Sequence, residues 1–149
     1  MKINLTLTII VLTIVNGFNM SSSSGDIGDG EYFESCIKWI KCKLEDKDAL
    51  DKYDKCQKLA SDETITKMLK IMGDIANREW SDSEAAYNEF CNMDKDQQHE
   101  FFIHHLQQML EEYSSTCADF MQVVSCKKMT EMTDCVIPLL NRLHGEKKC

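Results

Sequence analysis

The chain has 149 residues, a formal net charge of −8, and eight cysteines against a single proline. That length suits one domain with a sizeable core. An acidic chain without a basic patch and interleaved aromatics excludes nucleic acid as a partner, and acidity disfavours electrostatic attachment to anionic lipid.

Residues 1–17 read as a secretory signal. Met1-Lys2 gives a positive start, Ile3 to Val15 is almost wholly Ile, Leu, Val and Thr, and Val15 and Gly17 suit a cleavage site. The run is too short for a membrane span, and no later run approaches that length, so a secreted, extracellular product is expected. Residues 18–30 include SSSSGDIGDG and read as a flexible leader. Asn19-Met20-Ser21 within it is a formal glycosylation sequon. Residues 31–149 then form one disulfide-stapled helical domain. From Glu31 onward the chain holds only Gly73, Gly145 and Pro138, and such scarcity of breakers predicts helices.

The helices follow in order. Residues 31–45 carry Phe33, Ile37, Ile40 and Leu44 at helical spacing, and residues 48–60 carry Leu50, Tyr53 and Leu59 behind a cap at Asp48. Ser61 opens a longer helix whose stripe is Ile65, Met68, Leu69, Met72, Ile75, Ala76 and Trp80. Ser81 with Glu84 has the form of a capping box, as does Asp94 with Gln97. The helix after Asp94 lines up Phe102, Leu106, Met109, Leu110 and Tyr113. Thr116 is placed as the cap of a further helix through residue 128. A last helix, about 130–144, stops at Gly145, with Pro138 kinking it or marking its first turns. The fold class is therefore all-α, a bundle of about six to seven short helices cross-linked by four disulfides.

Cys36, Cys42, Cys56, Cys91, Cys117, Cys126, Cys135 and Cys149 all fall after the signal. An even number in an exported chain implies four disulfides, and spacing alone leaves 105 connectivities. No C-x-x-C occurs and the gaps fit no zinc ribbon, so metal binding by these cysteines is not expected. Two residues six apart on one helix differ by about 240°, so Cys36 and Cys42 should not pair. The same argument turns Cys117 and Cys126 to opposite faces of one helix, each seeking a partner elsewhere. The expected closure joins the 36–56 group to the 117–149 group.

One stretch imitates chemistry. His99-Glu100 precedes His104 and His105, yet a zincin needs its histidines at i and i+4 so that both leave one helical face. Here they stand at i+5 and i+6, and the expected arrangement is an amphipathic helix with histidines on or beside its polar side. Phosphate-binding glycine loops and nucleophile elbows are absent from the sequence. No catalytic residue, metal or cofactor is expected, and the chain reads as non-enzymatic.

The methionines remain. Met68, Met72 and Met109 share predicted apolar stripes with Phe102 and Leu106, and Phe120 lies close by in sequence. Those six are the candidate lining of an apolar pocket, since flexible thioethers suit an adaptable cavity as well as a core.

A secreted, acidic, disulfide-linked helical chain with Cys117-x8-Cys126 resembles the insect odorant- and pheromone-binding proteins, although it lacks their C-x3-C. It is similar in general style to helical proteins of arthropod venom and saliva. The resemblance implies a non-catalytic binding role. Two functions are expected in order: a secreted effector of venom, salivary or host-interaction type acting on an extracellular protein, then a carrier of a small hydrophobic ligand.

Overall fold

The computed structural model describes residues 32–43 and 46–149, so the expected signal, the leader, Asn19 and the positions of Glu31, Leu44 and Glu45 lie outside the described residues. The described chain is all-α. Helix α1 spans Tyr32–Lys38 and continues as a π-helical turn, Trp39–Lys43. Then come α2 (Lys47–Gln57), α3 (Asp62–Ala76), α4 (Ser83–Asn92) and α5 (Lys95–Ala118). A 3₁₀ turn, Phe120–Gln122, leads into α6 (Val123–Gly145).

Local chemistry sets these boundaries. Each start leaves backbone N–H groups without intrahelical partners, and a short polar side chain supplies one. Ser61 accepts from the Thr64 N–H at 3.1 Å, and Asp94 with Gln97 closes a reciprocal capping box, both at the expected residues. Two other caps fall beside their expected positions. The α2 cap is Asp46, which accepts from the Ala49 N–H at 3.0 Å; Asp48 lies one position inside the helix. The α4 cap is Asp82, which accepts from the Ala85 N–H at 2.8 Å, and Ser81 instead donates to the Asp82 carboxylate.

The larger departure is near residue 119. Thr116 starts no helix; it is buried in the last turns of α5. The break comes at Asp119, whose carboxylate accepts from the Met121 N–H and from the Gln122 side chain. Beyond it α6 runs unbroken from Val123, seven residues before the expected Thr130, and includes Pro138. Its stop is also shifted: Gly145 is the last helical residue, and the left-handed position is Lys147, at φ 56°.

The break explains a corrected disulfide. Cys117 and Cys126 pair with each other across it, Cα–Cα 4.8 Å, because the chain places them on α5 and α6 instead of on one helix. The other bonds are Cys36–Cys149, Cys42–Cys91 and Cys56–Cys135, and no cysteine is free. Two of them join the 36–56 group to the 117–149 group, and Cys36 does not pair with Cys42. All four constrain the unfolded chain more than the folded one, which is the source of their stabilisation.

Packing divides into two clusters. Ile40, Ala49, Tyr53, Leu139, Leu140 and Leu143 close α1, α2 and α6 around the Cys36 sulfur. Met72, Ala86, Phe90, Phe101 and Phe102 close α3, α4 and α5. Each of the fully buried side chains Phe90, Ile40, Leu140 and Leu143 adds about 1.5–3 kcal/mol of burial. Phe33 and Ile37 of α1 pack against both clusters and hinge them together. Among the described residues no helix is long and apolar enough to cross a membrane.

Candidate ligand cavity

A cavity partly open to solvent lies between the two clusters. It measures about 530 Å³ and is lined by all six helices: Phe33 and Ile37 from α1, Tyr53 and Gln57 from α2, Met68 and Met72 from α3, and Tyr87 and Phe90 from α4. Helix α5 contributes Phe101, Phe102, His105, Leu106, Met109, Leu110 and Tyr113. Helix α6 contributes Met129, Met132, Val136, Ile137 and Leu140, with Thr130, Thr133 and Asp134 between them. The volume lies within the usual range for small-molecule sites, and the wall is largely hydrocarbon and thioether.

Of the six candidate lining residues, the structure brings five together around this cavity: Met68, Met72, Phe102, Leu106 and Met109. Their positions follow from helical periodicity, which turns the stripes of α3 and α5 toward each other. Phe120 does not. It sits in the 3₁₀ turn with 83% of its surface exposed, beside Met121 at 77% and Val124 at 71%. The break at Asp119 takes it off the α5 stripe and leaves an apolar tip, residues 120–124, carried on the Cys117–Cys126 bridge.

The lining also includes residues that the stripes of the long helices do not reveal. Tyr53 and Tyr87 come from α2 and α4 and share a hydrogen bond of 3.2 Å between their hydroxyls. Both phenols are pushed up from their ordinary pKa, chiefly by burial. The Lys41 ammonium stands 5.1 and 5.0 Å over the two rings and is held by Asp54 at 2.5 Å. Also in the lining, Tyr113 and Thr130 share a hydrogen bond of 2.9 Å, and the Thr130 and Thr133 hydroxyls donate to the Cys126 and Met129 carbonyls. These hydroxyls are satisfied within the protein.

His105 differs. Its imidazole lines the cavity and stacks on Phe101, ring centroids 6.2 Å apart. Among the described residues its Nδ1 is the buried side-chain nitrogen or oxygen that lacks a hydrogen-bond partner. Burial lowers its pKa to about 4, so the ring is neutral at pH 7. This corrects the expectation that it sits on or beside the polar side. A signal existed: His105 stands four after Phe101 and three after Phe102, inside the apolar stripe.

The other histidines are dispersed. His99 Nδ1 meets Glu34 at 2.6 Å and ties α5 to α1, His104 is exposed, and His144 stacks on Tyr32 at 4.3 Å. Comparison with protein-family models, curated proteins and solved structures returns no match.

Proposed function

We propose that the chain is a secreted carrier that encloses one small hydrophobic molecule between its six helices. The observation that carries this is the 530 Å³ cavity, lined by members of both core clusters with a largely apolar wall of the kind small-molecule sites use. An unfilled apolar hollow forfeits contacts on every wall, and a ligand restores them. Five methionines in the lining let the wall adjust to its contents. Eight paired cysteines suit an oxidising extracellular medium, and their four bonds tie the helices that line the cavity to one another. The resemblance to odorant- and pheromone-binding proteins points the same way.

On the strength of the cavity we place the carrier ahead of the effector. The effector reading keeps one specific observation, the exposed tip of Phe120, Met121, Val123 and Val124. Contiguous apolar surface of that kind marks contact sites for macromolecules.

Fluorescence of N-phenyl-1-naphthylamine with the oxidised full-length protein tests the carrier. Micromolar uptake is expected, and it should be lost when Met68→Trp and Met109→Trp together fill the hollow. A folded protein that ignores the probe overturns the carrier, and a protein partner lost on Phe120→Ser would establish the effector.

A further inference from the structure

We propose that the tip at residues 120–124 docks on an anionic lipid bilayer. Its apolar side chains enter the interface, and Lys127 and Lys128 meet the headgroups. The proposal does not rest on the carrier reading.

Apolar exposure is concentrated at the tip. Among the described residues, Phe120, Met121, Val123 and Val124 are exposed by 83%, 77%, 63% and 71%, whereas the other exposed large apolar residues, Leu59, Ile103 and Leu110, lie elsewhere. Between Glu112 and Lys127 the one charged residue is Asp119. Its carboxylate accepts from the Met121 N–H at 2.9 Å and the Gln122 side chain at 3.0 Å, so two donors of the turn are satisfied before any water is displaced. The Cys117–Cys126 bond closes the base of the turn, which limits the ordering that docking would cost.

Charge selects the partner. Lys127 and Lys128 follow Val123 and Val124 by four residues on α6. They therefore share the faces of those valines one turn behind the tip, with Cα–Cβ bonds inclined toward it. Both lysines are exposed. Lys127 meets Glu131 at 3.8 Å, an exposed pair worth too little to withhold it. An apolar point followed by a basic turn matches the layering of an anionic bilayer, where hydrocarbon lies beneath phosphate. The net charge of −8 opposes wider attachment and confines contact to the tip. A protein partner fits less well, since a stable interface takes roughly 20–30 residues a side and this surface offers a handful.

Co-sedimentation of the oxidised protein with vesicles tests the proposal. One set is phosphatidylcholine alone, and the other is phosphatidylcholine mixed equally with phosphatidylglycerol. Binding to the mixed vesicles is expected, weakened by added salt. Phe120→Ser with Met121→Ser should reduce it by about tenfold or more. Each lysine near an anionic surface contributes roughly fivefold, so Lys127→Gln with Lys128→Gln should cut the preference for mixed vesicles by about tenfold or more. Phe120→Trp should add a blue shift of emission on vesicle addition that the unmodified protein lacks. A folded protein that stays in the supernatant with both vesicles overturns the proposal, as does undiminished sedimentation of a folded tip variant. A preference for mixed vesicles unchanged by the lysine substitutions also overturns it. Capture of a protein partner through Phe120, with vesicles ignored, overturns it in favour of the effector.

Discussion

The hydroxyls of Tyr53 and Tyr87 meet at 3.2 Å and join α2 to α4 on the wall of the cavity, beneath the ammonium of Lys41. Neither helix shares an apolar cluster with the other, so this polar contact helps to register the two halves of the bundle. Tyr53→Phe leaves the Tyr87 hydroxyl buried without its partner and should cost about 1–2 kcal/mol. The double change Tyr53→Phe with Tyr87→Phe removes both groups and should cost less than the two single changes added. Urea unfolding of the four proteins measures the cycle, and strict additivity would show that the pair does not couple.

Acid should reveal His105. Its folded pKa is depressed to about 4 from 6.5 by burial, so between those values the unfolded chain binds a proton that the folded chain refuses. Stability is then full above the unfolded value and falls as pH drops toward 4; at pH 5 the loss is about 2 kcal/mol. Asp46, Asp82, Glu89, Glu112 and Asp119 have carboxyl pKa values lowered, mainly by hydrogen bonds, and their losses come at lower pH. His105→Phe should flatten the window from pH 6.5 to 5 and leave the acid limb in place. An unchanged profile would mean that the ring is solvated.

Ser61 and the Asp94–Gln97 pair were readable because a cap acts within one turn, where sequence neighbours are spatial neighbours. The stripes of α3 and α5 were readable for the same reason, and they delivered Met68, Met72, Phe102, Leu106 and Met109. What was not readable depends on where the chain turns. Asp119 is the one acid between Glu112 and Glu131, yet neither a glycine nor a proline marks the break there, and nothing local distinguishes it from a helical residue until its carboxylate caps the Met121 N–H. From that single break follow the Cys117–Cys126 bond, the exposure of Phe120 and the early start of α6. The hollow itself is a mismatch between two clusters, a property of their spacing that no single stretch encodes.

Gly73 gives a sharper test of packing. It lies inside α3, where alanine would ordinarily stabilise by about 1 kcal/mol. A Cβ there would stand 2.6 Å from the Arg78 carbonyl oxygen, part of the backbone turn that closes the helix. That turn places Asn77 at φ 51° and bonds the Arg78 N–H to the Gly73 carbonyl at 2.9 Å. The backbone must move, so Gly73→Ala should lower stability by about 1–3 kcal/mol. A raised melting temperature would show that the turn relaxes freely.

The apolar tip should separate the two functional readings. Phe120, Met121 and Val124 contact little of the core, and surface changes away from packed features usually stay within about 0.5 kcal/mol. Phe120→Ser with Met121→Ser should therefore leave both melting temperature and cavity probe binding unchanged. Breaking the bridge beneath it, with Cys117→Ser and Cys126→Ser, opens a loop of only nine residues and should cost about 2.5 kcal/mol. The Cys36–Cys149 bond closes a far longer separation, 113 residues, and remains worth about 4 kcal/mol even after its neighbour Cys56–Cys135 has shortened the free path. Its removal by Cys36→Ser and Cys149→Ser frees α1 from the chain's end, and α1 carries Phe33 and Ile37 against both clusters. Thermal unfolding should rank the two losses in that order, and probe uptake should fall only for the longer bond. Loss of uptake on cutting Cys117–Cys126 would place the mouth of the cavity at the tip.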